Sequence, residues 1–262
     1  IILAILLLIV LIFSQIGLGG GLLYVPVLHY MGGLDYGASI LGSLGLVFSV
    51  AFGSGFAHNK NRLTDTELVK KAIVTAIPCA IIGALSSLWL IDKMNEDVIK
   101  TLALLIIIWI LYQTIKRNLK GDSEYTTTSD FNHPVYAAGT GFGGFSCGFL
   151  GIGGGGIYVT MNRGWGGLGV REAAGTSFLI AAFVEPIAFT THFFVGNSWG
   201  ELTESYGLLA ILLTFVLAVV TAYLGGRTAI RYQLPVKAVT GIFVVMVILG
   251  LLRYTIDLLG LL

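Results

Sequence analysis

The sequence predicts an all-α polytopic integral membrane protein made of two inverted repeats. Each repeat is expected to hold a glycine-broken re-entrant hairpin and three transmembrane helices. Three observations carry this. Hydrophobic residues make up 56% of the 262 and charged residues only 11%, against roughly 25% charged in a soluble domain. One glycine-rich motif occurs twice at a fixed offset. The basic residues segregate to one side of a membrane only if each glycine run turns the chain back on itself.

Composition sets the class. Several apolar runs exceed 17 residues without an internal charge, enough to cross ~30 Å of hydrocarbon. Glycine, at 36 residues, is enriched as it is in membrane helices. A net charge of +1 argues against nucleic acid as a partner; the expected partners are the lipid bilayer and a small ligand. The two cysteines, Cys79 and Cys147, lie in apolar runs, so neither a disulfide framework nor a thiolate metal site is indicated. No metal, cofactor or catalytic residue is expected, and the oligomeric state is not specified. The chain opens inside an apolar run without a methionine, so its native start is expected upstream. Ile1–Phe13 lacks the basic flank and cleavage site of a signal peptide.

The duplication sits at an offset of 134 residues. Gly17-Leu-Gly-Gly-Gly21 falls on the start of Gly151-Ile-Gly-Gly-Gly-Gly156. The match continues without a gap through Tyr24/Tyr158, Val25/Val159, Gly32-Gly33-Leu34/Gly166-Gly167-Leu168 and Ser43/Ser177. It still holds at His58/His192 and Glu67-Leu68/Glu201-Leu202. A fixed offset over fifty residues is duplication. Residues 1–115 form the first repeat, 116–133 a cytoplasmic linker, and 134–262 the second repeat.

In chain order, Ile1–Ile16 is apolar, breaks at Gly17–Gly21 and resumes as a short limb to Met31. Long runs follow at Gly37–Ala57, Val69–Ile91 and Val98–Ile115. Beyond the polar linker the plan recurs: Pro134–Leu150, the glycine run, and a limb at Ile157–Met161. Long runs then follow at Glu172–Phe194, Tyr206–Ile230 and Val236–Tyr254.

Charge counting decides the topology. If all eight apolar segments crossed, the fifteen Lys and Arg would divide seven against eight, which is no bias. If each glycine run is the tip of a re-entrant hairpin, each half has three crossings and the halves are inverted. The cytoplasmic side then carries Lys60, Arg62, Lys70, Lys71, Lys116, Arg117, Lys120, Arg163, Arg171, Arg227, Arg231 and Lys237. The outside keeps Lys93, Lys100 and Arg253. Twelve against three is what the positive-inside rule requires. Length agrees, since Leu22–Met31 as helix rises only ~15 Å.

Non-helical backbone at membrane depth is tolerated where it is buried in protein or lines a wet cavity. Two hairpins entering from opposite faces bring their breaks together near the midplane, where the first N–H groups of each limb point at a common space. Helix N-termini carry partial positive charge, and glycine lets a ligand approach the backbone. Paired broken segments in two halves mark a transporter's binding site. A small anion is therefore expected at Gly19, Gly20, Gly21 and Leu22 of one run and Gly153, Gly154, Gly155 and Gly156 of the other. Close helix packing is the competing account of such glycines, but it rarely needs four within five positions, twice. Gly151-x-Gly153-x-x-Gly156 also fits the dinucleotide fingerprint, but no strand precedes it.

GLGGGLLYVP at Gly17–Pro26 and GIGGGGIYVT at Gly151–Thr160 resemble the glycine signatures of the TauE/SafE sulfite exporter family. REAAGTS at Arg171–Ser177 and the weaker ASILGS at Ala38–Ser43 resemble its second motif. The resemblance spans both halves. It implies a permease of small anions, often sulfur-containing, such as sulfite, thiosulfate, sulfoacetate or other sulfonates, set in a prokaryotic plasma membrane. The halves depart from one another: Leu41-Gly42-Ser43 stands where the second has Gly175-Thr176-Ser177, and Thr160 where the first has Pro26.

Ser43, Thr176 and Ser177 lie about two turns inside their helices, where their hydroxyls would complete an anion cage; a bond to the carbonyl four residues back is the plain alternative. Glu185 is the one carboxylate well inside an apolar run, which makes it a functional candidate by default. An ionised Glu would repel an anion, so it reads as a proton carrier or as a partner of the helix break at Pro186. Its repeat counterpart is Ala51. His58 and His192 are candidate gate or proton-relay residues, or else helix caps. Cys147 reads as a packing residue, and Arg163 and Arg171 as topology markers. With no nucleotide-binding motif, the energy would come from an ion gradient or from the anion's own gradient. An anion channel is the neighbouring alternative. An intramembrane serine hydrolase using Ser54 with His58 or His192 is the remote one.

Overall fold

The computed structural model describes residues 1–94, 96–120, 132–232 and 236–260. These form α1 (Ile2–Phe13), α2 (Gly21–Pro26), a π-helical turn (Val27–Met31), α3 (Tyr36–Lys60), α4 (Thr66–Lys93) and α5 (Glu96–Lys120). The second half gives α6 (His133–Leu150), α7 (Gly155–Gly164), α8 (Val170–Val195), α9 (Ser198–Tyr206), α10 (Leu208–Tyr232) and α11 (Val236–Leu258). There is no strand among the described residues. Six helices, α3, α4, α5, α8, α10 and α11, are long and apolar enough to cross a membrane. They fall three to each half, on the six runs expected. The expected linker begins as helix, because α5 continues to Lys120, and residues 121–131 lie outside those described.

Helix starts follow from short polar side chains. Asp35 accepts from the Ala38 N–H at 2.7 Å at the head of α3, and Asp65 accepts from Glu67 and Leu68 at the head of α4. Both are N-caps that satisfy donors the helix cannot.

Helix pairs exchange under the 134-residue shift. α4 packs on α6 and α10 on α1; α3 packs on α10 and α8 on α4; α2 packs on α3 and α7 on α8. At the centre α3 and α8 lie antiparallel. Glu201, just past α8, accepts from the Asp35 N–H at 2.7 Å at the start of α3. Near the start of α8, the Thr176 hydroxyl accepts from the Asp65 N–H at 2.9 Å, just past α3. α5 and α11 are antiparallel too, since Lys100 early in α5 bonds Asp257 late in α11 at 2.9 Å.

Both hairpins return to the end at which they begin. Tyr136, at the start of α6, donates to Asn162, near the end of α7, at 2.7 Å. In the first hairpin Ile2 and Leu28 line the same cavity.

Two features differ from the expected plan. The limb to Met31 is not one regular helix. Pro26 has no N–H to donate, and the next turn widens until the Gly32 N–H bonds Val27 oxygen at 3.0 Å. Helix α9 was not expected; it forms in the polar stretch between the runs Glu172–Phe194 and Tyr206–Ile230, and Gly207, at φ 77°, separates it from α10.

Candidate functional site

The two glycine runs meet. Gly19 at φ 73° and Gly153 at φ 71° hold the left-handed backbone that glycine alone adopts without strain. This lets each break fold against the other. A Cβ on Gly21 would strike the Ile152 carbonyl. One on Gly155 would lie 2.7 Å from Gly17 oxygen and 2.9 Å from the Leu18 carbonyl carbon. Gly21 and Gly155 are repeat equivalents, as are Leu18 and Ile152, so the contact is reciprocal.

Serines pin the breaks across the repeats. Ser43 donates to Gly151 oxygen at 2.6 Å, and Ser177 lies 3.0 Å from both Gly17 and Gly155 oxygens. Neither bonds the carbonyl four residues back in its own helix. A hydroxyl has one proton to donate, and here each is committed to carbonyl oxygen. In this conformation they position the breaks and do not offer donors to an anion. Thr176 departs further, because its hydroxyl caps Asp65 at the far end of α3, away from the glycine runs.

Each limb's first turn closes on the last residue of its break. Leu23 and Tyr24 N–H groups bond Gly20 oxygen, and Ile157 and Tyr158 bond Gly154 oxygen. The preceding N–H groups, of Gly21 and Leu22 and of Gly155 and Gly156, stand in the first helical positions, which have no intrahelical acceptor.

Around this junction lie polar groups with no partner among the described residues. Both oxygens of Glu185 and the hydroxyls of Tyr24 and Tyr158 are fully buried and make no hydrogen bond to any of them. The Glu185 carboxyl faces the second break, with Oε1 2.9 Å from where a Cβ on Gly153 would sit. The Tyr24 phenol folds back over Gly20, 2.5 Å from its would-be Cβ, and Tyr158 does the same over Gly154 at 2.6 Å. Leaving a buried polar group unpaired costs about 1–3 kcal/mol, and such groups in a native protein call for a cause, such as an absent ion or water. The tyrosines belonged to the duplicated motif in the sequence. Their place in an aromatic-rich apolar chain gave no reason to single them out until the fold turned their hydroxyls inward.

The histidines part company. His192 bonds Gly148 oxygen at 2.7 Å and so braces the end of α6 just ahead of the second break. His58 bonds Ser54 oxygen in its own helix at 2.8 Å and packs against Phe178. Ser54 donates to Ala222 oxygen at 3.1 Å and not to His58, so the nucleophile–base bond a hydrolase needs is not made.

The whole chain carries one signature. A family description, Sulfite exporter TauE/SafE, matches residues 2–254. The chain belongs to that family. The match covers both glycine breaks, five of the six long helices and most of α11, so this TauE/SafE protein is a membrane transporter by family, as the duplicated motifs implied. Comparison with curated proteins and with solved structures returned no match.

Proposed function

We propose that this protein is a secondary transporter of small sulfur-containing oxyanions, such as sulfite, thiosulfate, sulfoacetate or other sulfonates, in the plasma membrane of a prokaryote. The observation that carries the proposal is the set of unpaired buried groups where the two breaks meet: Glu185, Tyr24 and Tyr158. Two phenols and the first N–H groups of two limbs are the donors a tetrahedral or pyramidal oxyanion can accept from on several sides.

The antiparallel packing of α3 on α8, and hairpins returning to opposite ends, support repeats 1–115 and 134–262 related by an axis in the membrane plane. Rocking one repeat against the other would expose the site alternately to each side. Glu185 supplies the coupling. With its proton it can donate to the anion; without it, it repels the anion, so anion and proton move together. Because Ala51 stands in its place in the first half, only one proton carrier is present per site.

The test is uptake of radiolabelled sulfite into proteoliposomes, with and without an imposed pH gradient, with thiosulfate and sulfoacetate as competitors. Uptake driven by the gradient, and made indifferent to it by Glu185→Gln, is the expected result. Wild-type uptake that ignores the gradient would replace coupled transport by a channel or uniporter. Failure of all three anions to bind or compete would remove the substrate class.

A further inference from the structure

A second polar site lies far from the glycine breaks, between the last turns of α3 and α10. Lys60, Asn61, Tyr223, Arg227 and Arg231 line a pocket of about 450 Å³, with Ala57 and Ile230 as its apolar lining. Its three cations make no ion pair with any described residue, whereas Lys70, at the same end, is paired with Glu67 at 2.7 Å. Topology accounts for basic residues at this end of the molecule. It does not account for three of them converging on one pocket with no carboxylate among the described residues that line it, where like charges repel unless an anion intervenes.

The walls next to the pocket identify the kind of anion. The outer faces of the same two helices are apolar and exposed: Phe52 and Phe56 on α3, and Val220 and Leu224 on α10. Phe56 packs against Tyr223 with ring centroids 6.0 Å apart, so Tyr223 joins the basic pocket to this strip. A cationic pocket continuous with a membrane-facing apolar groove fits a molecule with an anionic head and hydrocarbon tails. We infer that the Lys60–Arg227–Arg231 pocket binds the phosphate headgroup of an anionic phospholipid, its acyl chains lying along Phe52, Phe56, Val220 and Leu224. Basic pockets between membrane helices hold lipid headgroups by this chemistry. The pocket sits where α3 and α10 pack, so a lipid there would bear on the contact between the two halves.

Native mass spectrometry of the purified protein, titrated with phosphatidylglycerol and phosphatidylcholine of matched chains, tests this. Wild type should retain phosphatidylglycerol preferentially. Each cation contributes about fivefold to the preference, so Arg227→Gln with Arg231→Gln should lower it about thirtyfold. Lys70→Gln should leave it unchanged, and unaltered melting temperatures show that the variants fold. Equal retention of both lipids by wild type, or an equal loss in Lys70→Gln, overturns the inference. Displacement of the lipid by equimolar inorganic phosphate would also overturn it, because the pocket would then hold a free anion.

Discussion

The two hairpins share a motif but are packed to different tightness. The second hairpin's α6 lies on α4 of the first half through a stripe of small residues. A Cβ on Gly144 would strike the Ala76 carbonyl, on Gly148 the Ala80 carbonyl, and on Gly83 the Phe145 carbonyl. Thr75 and Thr140 tie the pair at 2.9 Å. The corresponding pair, the first hairpin's α1 on α10 of the second half, comes close at Gly225, where a Cβ would strike Ser14, but an apolar cavity of about 320 Å³ lined largely by Leu and Ile remains between it, α3 and α9. The returning limbs differ in the same sense. Thr160 bonds Gly156 oxygen inside a regular α7, while Pro26 opens a π turn. Small residues let backbones approach and gain dispersion over a long line of contact; branched side chains hold them apart. The second hairpin is therefore the more tightly packed of the two.

The strongest way to break this comparison is at the point where the halves are equal. Gly21→Val and Gly155→Val each push a side chain into the other hairpin's backbone. Overpacking costs typically about 1–3 kcal/mol, and more where rigid backbone must yield. Both should lower the melting temperature in detergent and abolish uptake. If the looser first hairpin absorbs Gly21→Val with activity intact, the reciprocal contact is not what holds the breaks together.

A smaller effect, confined to the ligand, is expected at the tyrosines. Tyr24→Phe and Tyr158→Phe remove hydroxyls that have no protein partner. A hydrogen bond to a charged group contributes about 1.5–3 kcal/mol, so each variant should raise the apparent Km for sulfite about tenfold to a hundredfold. Melting temperatures should hold or rise slightly, because an unpaired buried group is gone. Equal losses would mean both repeats grip the anion. A loss only in Tyr158→Phe would assign the site to the second hairpin, and no loss in either would remove the phenols from it.

How much of this the sequence carries depends on the length scale of the signal. The six crossings were legible because twenty apolar residues admit few alternatives, and the meeting of the breaks because duplication and charge bias constrained both at once. The direction of a hydroxyl was not. Ser43 and Thr176 look alike as polar residues in apolar helices, yet one pins a glycine break and the other caps Asp65. Which it does depends on the neighbour that packing supplies. Tyr24 and Tyr158 escaped for the same reason. Glu185 stood out because a lone carboxylate in an apolar run is costly wherever it points. Helix α9 was missed because its nine residues, SWGELTESY, are too short and polar to stand out between two apolar runs.

The finest distinction concerns a matched pair of glutamates. Glu67 and Glu201 occupy the same repeat position, but Glu67 is exposed and paired with Lys70. Glu201, on the added helix α9, is half-buried against Asp35. Burial first, and then the Asp35 carboxyl, push Glu201 up to about 7, from about 4.3 in an unfolded chain. The folded protein therefore holds this proton more tightly than the unfolded one. The stabilising contact is whole below about pH 4, declines as pH rises, and is lost on passing through 7. Thermal melts between pH 5 and pH 8 should show the wild type losing stability, and Glu201→Gln should flatten that slope. Glu67→Gln should leave the slope unchanged, because a solvated ion pair contributes little. A Glu201→Gln variant with the wild-type slope would place the pH sensitivity elsewhere and make α9 a plain brace.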